Sequence, residues 1–285
     1  MNIKQVLEYG TKLLKENGID EPILKARILL ANILEQSKEY LTTHETEELN
    51  RQLVKLFKKG IDKLCNNIPI QYITKKQEFM GLDFIVNENV LIPRPDTEIL
   101  VEEVIKLVKQ SSNPKILDLC TGSGAIGISI AKYIDDCKVI LSDISNEALK
   151  IATQNCISIL GKDKNNKIQI LQSDLFKNIR EKKFDIIVSN PPYIKTAVIK
   201  TLEKQVQNEP IIALDGGKDG LDIYKKIINQ AYKFLKKEGY LCLEIGYDQK
   251  DEVIELIKKT NKYQDIYSKK DLGDNDRIVI CKKEN

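Results

Sequence analysis

The feature that most constrains the fold of this chain is a regular alternation of strand-like and helix-like segments from about residue 96 onward. Short apolar runs predict strands at 115–120, 139–143, 168–172, 184–189 and 239–245. Segments with helical spacing predict helices at 97–108, 124–134, 146–160, 220–236 and 249–260. Strands joined through helices pair in parallel, and the helices cover both faces of the sheet. The pattern predicts an α/β fold that closes with two strands expected to be antiparallel, 263–268 and 277–282.

The first part of the chain has a different pattern, which predicts a small bundle of amphipathic helices. One helix runs from Ile3 to Gly18, and a second starts at Pro22, a residue suited to a first helical position. Thr42 with Glu45 fits a capping box before a third helix. We therefore predict a helical domain for substrate docking at 1–75, a hairpin or linker at 76–92 and the α/β domain at 93–285.

Composition excludes several classes of function. The 285 residues carry 45 basic and 42 acidic side chains, so the net charge is +3 and nonspecific attraction of nucleic acid is weak. His44 is the sole histidine, which excludes a Ser-His-Asp triad in the α/β domain and a multi-histidine metal site. The six cysteines include no Cys-x-x-Cys pair, so no metal is expected.

Hydropathy along the chain favours a cytoplasmic protein. No apolar run approaches the roughly 18 residues that a bilayer-spanning helix requires. The N-terminus also lacks the apolar stretch of a secretory signal. We expect a monomer that has no membrane contact and no obligatory nucleic acid.

A glycine-containing turn after the first strand of the α/β domain marks the candidate cofactor site. Glycine allows a tight turn and a close approach of ligand to backbone at such a strand-to-helix junction. Asp143 ends the next strand, where it could accept hydrogen bonds from ribose hydroxyls, and Asp174 could bind an adenine amino group or cap a turn. The structural alternative is that Gly122 and Gly124 only shape the turn. The predicted cofactor-binding residues are Cys120, Thr121, Gly122, Ser123, Gly124, Asp143, Asp174, Leu175 and Asn190.

The glycine spacing is compatible with two nucleoside cofactors. Gly122-x-Gly124-x-x-Gly127 satisfies the dinucleotide fingerprint, and Asp143 follows at a suitable distance, which favours NAD. Asp118 lies inside the first strand, four residues before Gly122. A carboxylate there could reach the amino group of S-adenosylmethionine through water, whereas it would repel a pyrophosphate. Asp118 therefore favours S-adenosylmethionine without deciding the choice.

The segment Ser189-Asn190-Pro191-Pro192-Tyr193 at the end of the fourth strand favours methyl transfer to nitrogen. An amide nitrogen is a poor nucleophile because its lone pair is delocalised. Two acceptors, the Asn190 side-chain oxygen and the Pro191 carbonyl, could hold both N–H groups and orient the lone pair. The predicted catalytic residues are Asn190, Pro191 and Tyr193, and Pro192 joins them in binding the substrate. The structural alternative is a polyproline-like surface turn.

These motifs resemble those of class I S-adenosylmethionine-dependent methyltransferases, and nearly the whole chain is similar to the peptide-chain release factor glutamine methyltransferases. Other segments similar to that family lie at 68–73, 91–98, 243–246 and 271–277. The resemblance implies a Rossmann-like, mostly parallel sheet with an antiparallel last strand, a helical N-terminal bundle and S-adenosylmethionine as cofactor.

The resemblance also implies a substrate and a partner. The substrate is the side-chain amide nitrogen (N5) of the glutamine in the Gly-Gly-Gln loop of class 1 release factors, and the helical domain docks on the release factor. Residues 94–98 are implied to lie near the active site. They fit equally well a helix start that is capped by Asp96 or Thr97.

Two departures from the family pattern and three other functions remain open at this point. Cys120 stands where methyltransferases generally have a glycine, and Lys75 follows Thr74 where relatives usually have one.

The first alternative function is an N6-adenine or guanine-N2 nucleic-acid methyltransferase, against which the low net charge of the helical domain argues. The others are an NAD-dependent oxidoreductase, which would lack a histidine near its site, and a non-catalytic partner-binding module.

Overall fold

The computed structural model describes residues 1–109, 111–161 and 167–284, which divide into two compact units. The first unit comprises Met1–Lys76 and Glu203–Asn208, and the second comprises Gln77–Leu202 and Glu209–Asn285. The segment predicted as a separate hairpin or linker thus groups with the second unit from Gln77 onward. The short segment Glu203–Asn208 belongs to the first unit although its neighbours along the chain belong to the second.

Most predicted elements of the second unit are present. Over the three described ranges, none of the helices combines the length and apolar character that a membrane crossing needs. In chain order the elements are α1 (Ile3–Glu16), α2 (Pro22–Leu34), α3 (Lys38–Thr43), α4 (Arg51–Cys65), α5 (Ile70–Thr74), β1 (Lys76–Phe79), β2 (Leu82–Ile85), a 3-10 turn (Pro95–Thr97), α6 (Glu98–Val108), β3 (Lys115–Leu119), α7 (Ala125–Tyr133), β4 (Lys138–Asp143), α8 (Asn146–Leu160), β5 (Ile168–Gln172), β6 (Phe184–Ser189), α9 (Thr196–Ile199), α10 (Lys204–Gln207), α11 (Ile211–Leu214), α12 (Asp222–Ala231), β7 (Leu235–Glu244), α13 (Lys250–Lys259), β8 (Tyr263–Lys270) and β9 (Asp276–Lys283).

The apolar faces of α1, α2 and α4 form the core of the first unit. Asn2 and Gln5 form a capping box at the start of α1, because each side chain accepts a hydrogen bond from the backbone N–H of the other. The short helix α10 belongs to this unit, where the side chain of Asn208 donates to the carbonyl of Asn67 at 3.0 Å. Core residues that are almost fully buried include Ile3, Leu14, Leu29, Leu30, Phe57 and Ile61.

The capping box predicted at Thr42 and Glu45 is wrong. Ser37 caps an earlier helix, α3, through a backbone N–H of its first turn, so Thr42 falls in the last turn of that helix. The next long helix is α4, and Asn50 caps it by accepting two backbone hydrogen bonds. The predicted capping box would place His44 in the first turn of a helix, but this residue lies exposed at the end of α3.

The described residues of the second unit form a seven-stranded sheet with the order β5-β4-β3-β6-β7-β9-β8. Strands β5, β4, β3, β6 and β7 are parallel neighbours, and β9 is antiparallel to both β7 and β8. This arrangement confirms the predicted α/β fold with a mostly parallel sheet and an antiparallel last strand. The chain moves outward from β3 through β4 to β5 and then returns to the other side of β3 as β6. Ligands bind at the carboxyl ends of the strands where such a reversal occurs.

Both faces of the sheet are buried, which explains why its strands read as continuous apolar runs. Ile116 and Val188 point to the face covered by α6, α7 and α8. Leu117, Ile187 and Leu241 point to the opposite face, which α12 and α13 cover. The two layers of helices hold the ends of the central strands in fixed positions.

The helix predicted at 220–236 is too long, because α12 ends at Ala231 and β7 begins at Leu235. The backbone N–H of Phe184 donates to the carbonyl of Phe234 at 2.9 Å, and Leu235 pairs with Phe184 in the parallel ladder. Helix propensity is a weak preference that ladder pairing and burial override. The strand therefore takes residues whose local pattern indicated a helix.

Asn155 of α8 ties the β1–β2 hairpin to the turn after β3. This side chain is fully buried. Its oxygen accepts from the backbone N–H of Ile85 at 2.6 Å, and its nitrogen donates to the carbonyls of Ile85 at 3.0 Å and Ser123 at 2.9 Å. One buried amide thus satisfies three backbone groups, which belong to two residues that are far apart in the chain.

We expect Asn155→Ala to lower the free energy of unfolding by about 3 kcal/mol, because it leaves buried backbone groups without partners. Urea unfolding followed by circular dichroism measures this change. The matched control is Gln154→Ala, at an exposed position on the same helix, with an expected change within about 0.5 kcal/mol. Equal stabilities of the two variants would contradict the assigned role of Asn155.

Candidate functional site

The reversal of strand order places two motif-bearing turns side by side. Leu119 pairs with Ser189 in the parallel ladder, and the Ser189 hydroxyl donates to the Leu119 carbonyl at 2.7 Å. Cys120 and Asn190 follow these paired residues directly. The glycine-containing turn and the Asn-Pro-Pro-Tyr segment, 70 residues apart in the chain, therefore start from the same edge of the sheet.

The turn between β3 and α7 has left-handed backbone at Cys120, Gly122 and Gly124, with φ of 58°, 55° and 83°. A Cβ at position 124 would also lie 2.6 Å from Cδ1 of Ile128, so only glycine fits there. Cys120 takes a conformation that costs an L-residue about 1–2 kcal/mol. Burial raises the pKa of its thiol, which stays neutral. The departure from glycine at 120 is thus accommodated at a strained position.

The side chain of Asp118 stabilises this turn through hydrogen bonds. Its carboxylate is fully buried, and Oδ2 accepts hydrogen bonds from the Thr121 hydroxyl at 2.5 Å and the Gly127 N–H at 3.0 Å. Burial raises the pKa of Asp118 to about 7, although both hydrogen bonds lower it. Only Oδ2 is committed to the turn, because Oδ1 has no hydrogen-bond partner among the described residues. Contact of this carboxylate with a cofactor amino group through water stays a prediction.

Asp143, at the end of β4, also stabilises this turn through hydrogen bonds. One carboxylate oxygen accepts from the Gly122 N–H at 2.9 Å, and the other accepts from the Ser145 N–H at 2.9 Å. Burial raises the pKa of Asp143, and these backbone hydrogen bonds oppose the shift. The next residue, Ile144, leaves 48% of its side chain exposed and lies beside Asp143 in a cavity wall.

Asn190 is oriented by Thr97, from the 3-10 turn that leads into α6. Helix α6 begins without the predicted side-chain cap from Asp96 or Thr97. The Thr97 hydroxyl instead accepts a hydrogen bond from Nδ2 of Asn190 at 3.3 Å. This bond engages the amide nitrogen and leaves Oδ1 of Asn190 available as an acceptor.

Tyr193 packs into the core below the site. Its hydroxyl lies 3.5 Å from Oε1 of Glu244, and its carbonyl accepts a hydrogen bond from the side chain of Gln249 at 3.0 Å. Burial, reinforced by the Glu244 charge, raises the pKa of Tyr193, so its phenol keeps the proton. The ring contacts the apolar cluster beneath α12 and α13.

A cavity of about 560 Å³ opens beside the two turns, a volume typical of small-molecule sites. The predicted residues that line it are Cys120, Gly122, Asp143, Asp174, Leu175, Asn190 and Pro192. Within the described part of the chain, the predicted residues outside this lining are Thr121, Ser123, Gly124, Pro191 and Tyr193. The roles of both groups remain predictions. Thr121, Ser123 and Gly124 belong to the same turn as Cys120 and Gly122.

Several parts of the cavity wall were not anticipated, and two of them are short continuous segments. Residues 89–91 come from the segment after β2, and residues 211–213 come from α11. Glu209, a buried residue, anchors the second part through an ion pair with Arg94 and a 3.0 Å hydrogen bond from the Ile92 N–H. The only local signal was the apolar pair Ile211 and Ile212, whose side chains remain more than half exposed.

The chain is similar to known proteins in sequence and in fold. The profile of the family described as "Methyltransferase small domain" matches residues 95–208, and that of "PrmC N-terminal domain" matches residues 5–74. A curated protein of Clostridium acetobutylicum named "Release factor glutamine methyltransferase" is 41% identical, over 99% of this chain and 98% of its own length. A Clostridium botulinum protein of the same name is 38% identical, over 99% and 100%. In fold, the chain is similar to a crystal structure of a methyltransferase from Pyrococcus furiosus, at 21% identity and a TM-score of 0.52, covering 80% of this chain and 99% of that one.

Proposed function

The chain belongs to the family of release factor glutamine methyltransferases, and from this premise we propose its reaction and substrate. The reaction moves a methyl group from S-adenosylmethionine to the side-chain amide nitrogen (N5) of a glutamine. That glutamine lies in the Gly-Gly-Gln motif of class 1 peptide chain release factors. The observation that carries the proposal is the Asn190 amide, held by Thr97 in the wall of the cavity that the glycine turn also lines.

The cavity wall has the chemistry that an adenosyl cofactor needs. Carboxylates of Asp143 and Asp174 offer acceptors for ribose hydroxyls or an adenine amino group. Ile144 and Leu175 supply apolar surface beside them for a planar base. The open space above Gly122, where a Cβ would meet nothing within 4 Å, lets a ligand approach the backbone. These residues fit S-adenosylmethionine and would hold it there.

The residues of this site work mainly by positioning. When bound, S-adenosylmethionine supplies a methyl group that is activated by its sulfonium. Asn190 Oδ1 and the Pro191 carbonyl accept hydrogen bonds from the two N–H groups of the glutamine amide, which favours a pyramidal nitrogen over the planar ground state. These two acceptors would hold the amide nitrogen beside the bound cofactor, which would supply the methyl group, and such positioning would be the main source of catalysis. The methylated nitrogen loses a proton to water readily, so no histidine base is required.

Asp143 gives a prediction for cofactor binding. We expect Asp143→Asn to weaken S-adenosylmethionine binding by about 10- to 100-fold, because a charged acceptor of ribose hydroxyls is lost and an amide NH₂ faces backbone N–H groups. Isothermal titration calorimetry measures the affinity. The matched control is Asp136→Asn, at an exposed position outside the cavity, which should leave the affinity unchanged. An unchanged affinity in Asp143→Asn would remove this residue from the cofactor site.

The proposed cellular location and binding partner follow from the substrate. A release factor is met on or near the ribosome, so we place this enzyme in the cytoplasm, acting as a monomer without obligatory nucleic acid. The helical first unit is the proposed docking domain for the release factor. Size-exclusion chromatography with light scattering tests whether the protein is a monomer. A pull-down with the isolated release factor tests whether the two proteins bind.

Transfer of labelled methyl from S-adenosylmethionine to a purified class 1 release factor tests the function. We expect label on the wild-type factor and none on a factor whose Gly-Gly-Gln glutamine is replaced by alanine. DNA and RNA serve as further substrates in parallel reactions. Label on nucleic acid alone would replace the proposal with the N6-adenine or guanine-N2 alternative.

A further inference from the structure

Two neighbouring isoleucines of α11 line the cavity and have no role in the reaction as derived so far. Ile211 is 63% exposed and Ile212 is 57% exposed, and the same cavity wall contains Asn190 and Pro192. Single exposed apolar residues are common on protein surfaces and need no explanation. Two consecutive ones in a cavity wall form an apolar surface that a ligand or partner entering the site would remove from water.

Helix α11 is fixed at its C-terminal side by the segment that carries the Asn-Pro-Pro-Tyr residues. The Ile194 N–H donates to the Leu214 carbonyl at 2.9 Å, and the Gly216 N–H donates to the Ile194 carbonyl at 2.8 Å. Ile194 and Asp215 also form a parallel bridge. The isoleucine pair (Ile211 and Ile212) is therefore attached directly to the segment that is proposed to bind the substrate.

At its N-terminal side, α11 is fixed by the segment that orients Asn190. Glu209 is buried, where its carboxylate accepts from the Ile92 N–H at 3.0 Å and pairs with Arg94. Thr97, which accepts from Asn190 Nδ2, belongs to the turn that follows Arg94 directly. With both ends held, α11 presents its side chains as a preformed surface, and such a surface binds a partner at a lower entropic cost.

The order of the strands separates two sides of the cavity wall. The carboxylates proposed for the nucleoside follow β4 and β5, which lie on one side of β3: Asp143 ends β4, and Asp174 follows β5. The exposed side chain of Ile144 also follows β4. Helix α11 is instead bonded to the segment after β6, on the other side of β3. The isoleucine pair is thus anchored on the side where the substrate is expected.

We propose that Ile211 and Ile212 bind the polypeptide of the release factor next to the target glutamine. Their side chains pack on this polypeptide when the glutamine amide reaches Asn190 and Pro191, so apolar area leaves the water and the loop is held in place. The inference rests on the proposed function, because it takes the substrate to be a glutamine within a protein. It assigns part of the substrate specificity to two residues that touch the protein around the glutamine and not the reacting atoms.

The experiment replaces both isoleucines in the full chain. The double variant Ile211→Ala/Ile212→Ala removes apolar area but keeps a good helix former at both positions. We expect KM for the release factor to rise about 30-fold, because area that binding would bury is lost, whereas kcat at saturating release factor should change less than about twofold. S-Adenosylmethionine affinity, measured by calorimetry, should stay at the wild-type value. Leucine at both positions keeps the apolar area and should restore KM.

Two controls separate a lost contact from a general loss of structure. Ile157→Ala is the matched variant, because Ile157 is a 44% exposed isoleucine on α8 outside the cavity wall, and its KM should equal that of wild type. A release factor whose Gly-Gly-Gln glutamine is replaced by alanine binds without being methylated. Its dissociation constant, measured by biolayer interferometry, should rise in the double alanine variant by about the same factor as KM.

Each outcome decides the inference. An unchanged KM in the double alanine variant overturns it, as does an equal rise of KM in Ile157→Ala or a leucine variant that stays impaired. Loss of S-adenosylmethionine affinity with an unchanged KM assigns the isoleucine pair to the cofactor and also overturns it. If the double variant fails to fold, Ile211→Ala and Ile212→Ala are tested singly, with the same outcomes. A wild-type enzyme that does not methylate the release factor refutes the proposed function, whereas normal KM values in all variants of an active enzyme refute this inference alone.

Discussion

Asn190→Ala is expected to lower kcat for release factor methylation about 1,000-fold, comparable to loss of a preorganised hydrogen-bonding group from an active site. Its amide is a side-chain acceptor that Thr97 orients in the cavity wall. S-Adenosylmethionine binding should change little, because the acceptors for the nucleoside lie on Asp143 and Asp174. Stopped-quench turnover and calorimetric titration measure the two quantities separately.

A matched control and a second variant sharpen this test. Asn229→Ala removes the same side chain from an exposed position on α12 and should leave both quantities unchanged. Asn190→Asp keeps an acceptor but removes the donor to Thr97, so it should lose orientation and most of the turnover. Equal losses of turnover and cofactor affinity in Asn190→Ala would assign Asn190 to cofactor binding instead.

Gly216→Ala is expected to reduce both activity and stability, although its backbone conformation is open to any residue. A Cβ there would lie 2.7 Å from Cα of Tyr193 and 2.9 Å from the Pro192 carbonyl. These neighbours are backbone atoms and cannot move aside by changing a rotamer. The Pro192–Tyr193 backbone must shift, which should cost about 1–3 kcal/mol of unfolding free energy and about 100-fold in kcat.

Gly18→Ala is the control for this substitution. A Cβ at position 18 meets nothing within 4 Å, but φ is 67°, so alanine there carries only a conformational cost of about 1–2 kcal/mol. Thermal unfolding should therefore shift in both variants, whereas methyl transfer should fall only in Gly216→Ala. Normal turnover in Gly216→Ala would show that the Asn-Pro-Pro-Tyr backbone tolerates displacement.

At two departures from the family pattern, the residue type alone does not reveal the backbone conformation. Cys120 and Lys75, where the family resemblance implies glycine, both have left-handed backbone, with φ of 58° and 59°. The sequence signals only that a different residue is present. The φ values show that both residues adopt a left-handed conformation, and that each bears its conformational cost.

Local pattern was a good guide where one short-range rule dominates. The strands of the parallel sheet are apolar because both faces are covered, and β5 and β6 have the predicted bounds. The same rules failed at two places. Ser37 caps a helix that includes Thr42, and strand pairing at Leu235 ends the helix predicted to continue through 232–236. Where local signals compete, the structure adopts the alternative that its other contacts stabilise more.

Sequence alone was sufficient to predict the α/β class and to single out the glycine-containing turn and the Asn-Pro-Pro-Tyr segment, because periodicity and motif spacing are properties of contiguous residues. The tertiary structure decided which groups act together: Thr97 on Asn190, Glu209 on Arg94 and Glu244 beside Tyr193. These partners are separated by 51 to 115 residues. No local pattern encodes such a contact, since it exists only after the order of the strands has placed distant segments at one edge of the sheet.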